Sequence, residues 1–193
     1  IDLDISALRR KGKTRQPKET RGTIRIGTLI AKRPKEVRNR ETFGHWELDT
    51  VVSSRGKSKG CLVTFLERKT RFYLAFKIPD RTAKSMFLAI KQLCKLFPKE
   101  ALKTFTSDRG KEFACYPLVE NLGISFYFAE PIHPAEGSNE NANGLLREYF
   151  PKKTDLAAIS EETLNKALYD INHRPRKCLA YRTACEALED EFE

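Results

Sequence analysis

A basic turn between two apolar runs is the feature that most restricts the fold of this chain. Cys61–Leu66 and Arg71–Ile78 each have the composition of a strand, and the turn Arg68-Lys69-Thr70 separates them. Strands joined by so short a connection pair antiparallel, because a parallel crossover needs a dozen or more residues. Upstream, His45–Val52 alternates and then turns apolar, as a half-buried or central strand does. The sequence therefore predicts a sheet that opens with consecutive antiparallel strands.

Beyond this hairpin, helical and strand patterns alternate. Thr82 is a predicted N-cap, and the helix after it has a broad apolar face made of Met86, Leu88, Ala89, Ile90, Leu93 and Leu96. The later elements are predicted as strands over Lys103–Ser107 and Ile124–Phe128, and as helices over Lys111–Asn121 (closed by Gly123), Ser138–Tyr149 and Thr163–Asn172. Three antiparallel strands followed by this alternation predict an α/β fold, a mixed sheet flanked by helices. Ribonuclease H-like folds have the same element order.

Positive charge is concentrated in the N-terminal part of the chain. The formal net charge is +10, and residues 1–40 hold 13 Lys and Arg against 4 Asp and Glu. Basic side chains that neutralise phosphates release counterions, so this composition favours an arm that tracks phosphate, with a solvated flexible tail as the alternative. We therefore predict a basic N-terminal arm over residues 1–40, with a strand-like alternation at Thr23–Ile26, and a folded core over residues 41–193.

The sequence argues against several other classes of protein. No apolar stretch approaches the ~20 residues of a membrane-spanning helix, and Ile1-Asp2-Leu3-Asp4 does not begin a signal peptide. Five scattered cysteines without a C-x-x-C pair, and three histidines without ligand spacing, argue against disulfides and structural zinc. We expect a reduced, cytoplasmic protein and, because the chain lacks an initiator Met, a fragment.

Three acidic residues lie where the predicted elements begin or end. Asp49 is inside the first strand and shares one face of it with Glu47. Asp108 closes a strand and is followed by Gly110, which leaves its carboxylate open to a ligand. Glu140 is in the first turn of a helix, where the helix dipole favours its ionised form.

Carboxylates in this number suit metal-dependent cleavage of phosphodiesters. The reaction needs an attacking oxygen to be deprotonated and a leaving oxygen to be neutralised, and two ions about 3.5–4 Å apart can do both. Magnesium prefers hard oxygen ligands and keeps several waters, so a few carboxylates suffice and neither His nor Cys is required.

The three acids lie in longer blocks that resemble a known family. The blocks are Arg33-Pro34-x-Glu36-Val37, Gly44-His45-Trp46-Glu47-x-Asp49-Thr50, Asp108-x-Gly110-x-Glu112-Phe113-Ala114, Gly137-Ser138-Asn139-Glu140-Asn141-x-Asn143-Gly144-Leu145, Tyr149-Phe150-Pro151-Lys152-Lys153-Thr154-Asp155 and Asn172-His173-Arg174-Pro175-Arg176-Lys177. In this order and spacing, over roughly residues 30–188, they resemble the IS-thirty family of insertion-sequence transposases.

This resemblance implies a retroviral-integrase-like, ribonuclease H-like fold and a DDE triad that maps to Asp49, Asp108 and Glu140. It implies that the triad holds Mg²⁺ or Mn²⁺, as two ions, in a bacterial, nucleoid-associated enzyme that acts on DNA as a dimer or higher multimer. The chain departs from the family pattern in three places. The 32 residues from Asp108 to Glu140 are slightly fewer than usual, the loop Pro131–Glu136 lacks a Trp often found there, and Arg109 replaces a frequent Asn.

Each acid also has a structural interpretation. Asp49 is hard to explain structurally, because an unpaired carboxylate among apolar neighbours is costly. Asp108 could be a plain turn residue before Gly110, and Glu140 could merely complement a helix N-terminus. Among the rival carboxylates Glu47, Glu112 and Glu136, the first two are expected to support the site indirectly, by holding the residues around it.

Basic and amide side chains downstream are candidate DNA contacts. Arg147 lies two helical turns after Glu140 on the same face, with an ordinary solvated helix face as the alternative. The other candidates, taken from the helix start and the two downstream blocks, are Asn139, Asn141, Asn143, Lys152, Lys153, Arg174, Arg176 and Lys177. The aromatic residues Trp46, Phe65, Phe72 and Phe76 are predicted core residues.

The hypothesis that follows is the catalytic core of a DNA transposase, which frees a 3′ hydroxyl at the element end and joins it to target DNA. A hydrolytic nuclease of the same fold would need the same carboxylates without strand transfer. An inactive DNA-binding remnant would keep the basic arm and lose a carboxylate.

Overall fold

The computed structural model describes residues 27–53, 58–129 and 138–193. These residues form one mixed sheet of six strands in the order β1-β6-β5-β2-β3-β4. The strands are β1 (Thr28–Leu29), β2 (His45–Val52), β3 (Cys61–Glu67), β4 (Tyr73–Ile78), β5 (Thr104–Ser107) and β6 (Ser125–Phe128).

The pairing of the strands follows from their connections. β2, β3 and β4 are antiparallel neighbours, as the short turn at Arg68-Lys69-Thr70 predicts. β5 pairs parallel with β2, and β6 pairs parallel with β5. The register on β2 and β5 matches Trp46 with Phe105 and Glu47 with Thr106. The predicted mixed sheet is confirmed.

Helices cover both faces of the sheet. They are α1 (Glu36–Asn39), α2 (Ala83–Leu96), α3 (Tyr116–Glu120), α4 (Ser138–Tyr149), α5 (Glu161–Asn172) and α6 (Ala184–Glu189). One core joins α2 and α3 to the face of β2 that carries Trp46 and Leu48. A second core joins α4 and α5 to the opposite face, which carries Val51. Because side chains alternate along a strand, Glu47 and Asp49 lie on the α4 side of β2.

The predicted α2 is present, but its buried face is narrower than expected. Thr82 caps it, accepting a hydrogen bond from the Ser85 backbone N–H at 3.2 Å. Met86, Ala89, Ile90 and Leu93 are buried, whereas Leu88 and Leu96, which were predicted on the same apolar face, are 56% and 61% exposed. Periodicity gives the direction of an apolar face, but its width depends on what packs against it.

Two further elements differ from the sequence expectation. The helix predicted over Lys111–Asn121 is a 3₁₀ helix over Lys111–Cys115 followed by the short α3, in which Pro117 occupies the first turn. Proline is suited to the start of a helix and not to its interior. The 3₁₀ helix therefore ends and α3 begins just before Pro117. Helix α6, which the sequence analysis missed, begins with a capping box between Thr183 and Glu186.

Residues 27–40 pack on the core, which differs from the expectation that the whole of residues 1–40 would pack weakly. β1 pairs with β6, and Val37 of α1 is 1% exposed. The carbonyl of Val37 accepts a hydrogen bond from Arg68 Nε at 3.2 Å. Residues 1–26, including Thr23–Ile26, lie outside the described residues.

The predicted aromatic core is confirmed. Trp46 and Phe65 are fully buried, and Phe72 and Phe76 are partly buried against the same cluster. Among the helices that the structure describes, none has the length and apolar character needed to cross a bilayer.

Candidate active site

Asp49 and Asp108 come from neighbouring parallel strands. β2 and β5 are in register up to Glu47 and Thr106, and each acid lies two residues further along its own chain. Extending that register sets Asp49 beside Asp108, at the separation of adjacent strands, about 4.8 Å. Because β5 ends at Ser107 while β2 continues to Val52, the two candidate ligands lie side by side at the point where β5 ends.

The Asp49 carboxylate is half-buried and held at both oxygens. Oδ1 accepts the backbone N–H of Thr50 at 2.7 Å, and Oδ2 accepts Nδ2 of Asn143, from α4, at 2.8 Å. Burial, together with the negative charges of Asp108 and Glu112, raises the pKa of Asp49 to about 6. The Thr50 N–H and the positive charge of Arg81 lower that pKa and so partly offset the rise. Asp49 therefore lies among carboxylates that disfavour its charge, an environment that a bound cation would relieve.

Asp108 begins a tight turn in which the Glu112 side chain lies against Gly110. The Oδ1 of Asp108 accepts the backbone N–H of Gly110 at 2.9 Å, which is the turn chemistry that the structural interpretation expects. A Cβ on Gly110 would lie 2.5 Å from Oε2 of Glu112, so a larger residue there would displace the Glu112 carboxylate. The Asp108-x-Gly110-x-Glu112 spacing therefore lets Glu112 fold back over the turn.

Glu140 is in the first turn of α4, on its exposed side. Among the described residues, no three His, Cys, Asp or Glu side chains converge closely enough to hold a metal ion. The expected convergence of Asp49, Asp108 and Glu140 is therefore not present in this arrangement, and the assignment of Glu140 stays a prediction. The loop that leads into α4, residues 130–137, lies outside the described residues together with Glu136.

Glu47 connects the start of α4 to strand β2. Its carboxylate is buried, forms an ion pair with Arg68, and accepts the backbone N–H of Asn139 at 3.0 Å through Oε2. Asn139 Nδ2 also donates to the Glu47 carbonyl at 3.2 Å. Burial raises the pKa of Glu47, while the positive charge of Arg68 lowers it. These contacts agree with the expectation that Glu47 supports the site indirectly, because they satisfy a free N–H in the turn that carries Glu140.

Glu112 is the rival carboxylate on the other side of β2. Its Oε1 accepts Arg81 Nε at 2.5 Å and the Thr50 hydroxyl at 2.9 Å. Since its charge also raises the pKa of Asp49, Glu112 acts on Asp49 directly as well as through Thr50. Its bonds to Arg81 and Thr50 suit a supporting residue rather than a ligand.

Several predicted DNA contacts are occupied by the protein itself. Asn139 is 6% exposed and Asn143 has both amide atoms bonded inside the fold, which corrects the expectation that they contact DNA. Arg147 donates to the carbonyls of Val52 at 2.9 Å and Phe150 at 3.3 Å. Arg147 thereby links the end of α4 to the end of β2, and its guanidinium stabilises the fold at this point.

The remaining candidates lie nearer the surface. Asn141, Lys152, Lys153 and Lys177 are exposed. Arg174 pairs with Glu148 at 3.1 Å, and Arg176 donates to the Ile171 carbonyl at 3.2 Å. Arg109, which departs from the family pattern, donates to the Ala129 carbonyl at 3.3 Å. The exposed lysines are the members of this set best suited to phosphate.

Sequence reasoning missed four residues around the site. Arg81 pairs with Glu112, Arg68 pairs with Glu47, and Tyr73 donates its hydroxyl to Asn143 Oδ1 at 2.7 Å. Asn172 exchanges two hydrogen bonds with the backbone of Tyr73, at 2.8 and 2.9 Å. Asn172 opens one of the family blocks, and this membership could have indicated its role. The other three come from segments without a motif, and nothing local indicates their partners.

Comparison with known proteins agrees with the fold and the blocks. An integrase core domain matches residues 39–134. The chain is 36% identical over 196 residues to transposase InsI of the insertion sequence element IS30C of Escherichia coli, covering 97% of this chain and 50% of the transposase. It is 34% identical to the probable transposase of the element IS1161 of Streptococcus salivarius, covering 98% and 53%. The chain thus spans about half the length of these transposases.

The solved structures that the fold resembles are integrase catalytic cores. The core of bovine immunodeficiency virus (BIV) integrase has a TM-score of 0.59 and 24% identity, covering 78% of this chain and 97% of that one. The HTLV-2 integrase core, in complex with magnesium and in its trimeric form, has a TM-score of 0.59 and 17% identity, covering 75% and 95%. These neighbours establish a ribonuclease H-like fold. With this fold, an integrase core domain and relatives matched along nearly its whole length, the chain belongs to the IS30 family of insertion-sequence transposases.

Proposed function

We propose that this chain is the catalytic part of a DNA transposase, which cuts the ends of an insertion element and joins the freed 3′ ends to target DNA. The observation that carries the proposal is the side-by-side position of Asp49 on β2 and Asp108 just after β5. Helix α4 is bonded directly to Asp49 through Asn143. A nuclease, an integrase and a transposase all need such a carboxylate pair, and the relatives favour the last.

The donor chemistry fits divalent magnesium or manganese. Asp49, Asp108 and Glu140 offer only carboxylate oxygens, which hard cations prefer. Asp49 is half-buried beside Asp108 and near Glu112, and this excess of negative charge is relieved by a cation. When bound, two divalent ions would activate the attacking oxygen and neutralise the leaving oxygen of a phosphodiester. We propose Asp49, Asp108 and Glu140 as the ligands.

The proposed reaction has two phosphoryl transfers. In the first, a water oxygen attacks phosphorus at the element end, the bond from phosphorus to the 3′ oxygen breaks, and that oxygen takes up a proton. In the second, the new 3′ hydroxyl attacks a target phosphodiester and releases a target 3′ hydroxyl. Each step exchanges one P–O bond for another, so no oxidant or reductant is needed. Asp49, with its pKa of about 6, stays mainly ionised at neutral pH and can bind a cation.

Contacts to DNA are proposed for the exposed lysines rather than for the helix face. Lys152 and Lys153 follow α4, and Lys177 lies beyond α5. Their side chains are free to track phosphates, which carry most of the affinity in DNA binding but no sequence information. We also propose that the protein works as a multimer, which light scattering with and without element-end DNA would test.

The deciding experiment measures cleavage and strand transfer with labelled element ends and a target plasmid. Asp49→Asn, Asp108→Asn and Glu140→Gln should each abolish both reactions, because the amide keeps the shape and removes the charge that holds the cation. Glu112→Gln should lower activity without abolishing it, since its carboxylate is bonded to Arg81 and Thr50 and supports the site. Glu161→Gln, which changes an exposed acid in the first turn of α5, is the matched control and should retain full activity. Cleavage without joining would identify a nuclease of the same fold. Binding without either reaction in the unmodified protein would identify a DNA-binding remnant.

A third outcome concerns the ligand set. If Glu140→Gln stays active while Glu112→Gln loses both cleavage and strand transfer, Glu112 is the third ligand. Glu140 then only complements the helix dipole at the start of α4.

A further inference from the structure

We propose that Asn143 and Tyr73 are positioning residues that act on Asp49 as one unit: the Tyr73 hydroxyl fixes the Asn143 amide, and that amide fixes the Asp49 carboxylate. The inference rests on the proposed function, because it treats Asp49 as a metal ligand. Neither residue touches the reacting atoms in this proposal.

The direction of each hydrogen bond is determined by chemistry. An ionised carboxylate only accepts, so the atom of Asn143 at 2.8 Å from Asp49 Oδ2 must be the amide nitrogen. The amide oxygen then faces the Tyr73 hydroxyl, which donates to it at 2.7 Å. Tyr73 is fully buried, and Asn172 of α5, itself 4% exposed, holds its backbone through two hydrogen bonds. The chain of contacts therefore begins in rigid, buried structure and ends at Asp49.

The contact is part of a stripe that locks α4 along β2. Asn139, Asn143 and Arg147 are spaced four residues apart, and they bond to Glu47, Asp49 and the Val52 carbonyl in turn. Four residues of a helix rise about 6 Å, close to the rise of about 6.6 Å over the two strand residues from Glu47 to Asp49. Val52 lies one residue further along, and the long Arg147 side chain reaches its carbonyl. α4 cannot slide or rotate without breaking these bonds. Since Glu140 directly follows Asn139, the stripe also fixes the position of the Glu140 backbone.

Asn143 orients Asp49 without blocking it. Asp49 accepts one hydrogen bond from Thr50 at Oδ1 and one from Asn143 at Oδ2. Each carboxylate oxygen has two lone pairs, so one on each oxygen stays available to a cation. A carboxylate held in plane by two donors loses less freedom when it binds an ion. Removing either partner of the unit should therefore weaken ion binding.

The test measures Mn²⁺ binding by electron paramagnetic resonance, which does not depend on catalysis. Tyr73→Phe removes only the hydroxyl, and Asn143→Ala removes the amide. Each should weaken Mn²⁺ binding by on the order of tenfold, as loss of a residue that holds a ligand typically does. Because Tyr73 acts only through Asn143, Tyr73→Phe should have no further effect in the Asn143→Ala background. Tyr169→Phe and Asn165→Ala, both at exposed positions of α5, are matched controls and should bind Mn²⁺ normally.

The outcomes separate this inference from the proposed function. Asp49→Asn should abolish Mn²⁺ binding; if it does not, the metal site and the inference both fail. If Asp49→Asn loses Mn²⁺ but the single variants bind normally, or if their effects add, the positioning unit alone is overturned. Tighter binding by Asn143→Ala would show that Asn143 blocks Oδ2 and would also overturn it. Thermal unfolding of each variant identifies effects that come only from a loosened fold.

Discussion

Acidification should destabilise this fold through His45, the first residue of β2. The ring is 3% exposed, its Nδ1 is 2.8 Å from the Thr104 hydroxyl, and its Nε2 is a buried nitrogen without a hydrogen-bond partner in the described structure. Burial lowers the pKa of His45 from 6.5 to about 4, and the positive charges of Lys103, Arg68 and Arg33 contribute in the same direction. The folded protein therefore keeps His45 neutral at pH values where the unfolded chain protonates it.

The size and pH range of the effect follow from this difference. Above pH 6.5 the histidine is neutral in both the folded and the unfolded state, so it does not change the free energy of unfolding. As the pH falls from 6.5 towards 4, the unfolded state binds a proton that the folded state does not, so stability falls. At pH 5 the deficit is roughly 1.5 pKa units, or about 2 kcal/mol at about 1.4 kcal/mol per unit.

Urea unfolding at pH 7.5 and pH 5 measures the predicted loss. The unmodified protein should lose about 2 kcal/mol more of its unfolding free energy between these pH values than His45→Gln, which keeps a polar partner for Thr104 but cannot be protonated. Other acid-sensitive groups are common to both proteins and cancel in the comparison. Equal losses in the two proteins would refute the argument, because His45 would then bind its proton equally well in both states.

Four other perturbations test the packing around the site and the role of the basic N-terminal segment. Glu47→Gln should cost about 3–5 kcal/mol in urea unfolding because it breaks the buried ion pair with Arg68. Adding Arg68→Met should recover part of that loss, and simple additivity of the two losses would contradict the pairing. Gly110→Ala should cost about 1–2 kcal/mol by displacing Glu112 from Arg81, whereas Gly144→Ala, with open space around its Cβ, should stabilise α4 by about 0.5–1 kcal/mol. Deleting residues 1–26, which hold 8 Lys and Arg against 3 Asp and Glu, should flatten the slope of log DNA affinity against log salt, and an unchanged slope would refute phosphate tracking.

The sequence predicted best what depends on short-range pattern. The turn at Arg68-Lys69-Thr70 fixes β3 and β4 as antiparallel neighbours whatever else the chain does, and their pairing is as predicted. Ser138–Tyr149 was predicted with its exact bounds, since polar start signals and apolar periodicity agree there. The adjacency of Asp49 and Asp108 needed more. It follows only once β2 and β5 are known to be parallel and in register.

The failures share a physical cause, which is that tertiary partners decide the role of a side chain. Leu88 and Leu96 have the right spacing to be buried, but they are 56% and 61% exposed in the part of the chain that the structure describes. Asn139 and Asn143 are polar residues at the start of a helix, and such residues are usually solvated. Here they face the sheet because β2 presents Glu47 and Asp49 to them. Tyr73 is distant in sequence from both, so its role could not be derived locally.

Polar contacts on the buried side of α4 explain how this helix is held in one register beside Asp49. An apolar stripe packs by area, so a helix bound only by Ala142 and Leu146 could shift by a fraction of a turn at little cost. Hydrogen bonds depend steeply on distance and angle, and leaving a buried amide unpaired costs about 1–3 kcal/mol, so the bonds of Asn139 and Asn143 select one register. Catalytic groups must be held to within about 0.5 Å. The fold therefore uses apolar area to bind α4 and amide contacts to fix its position. Residues that need not touch DNA thus determine the geometry at the Asp49 end of the proposed site.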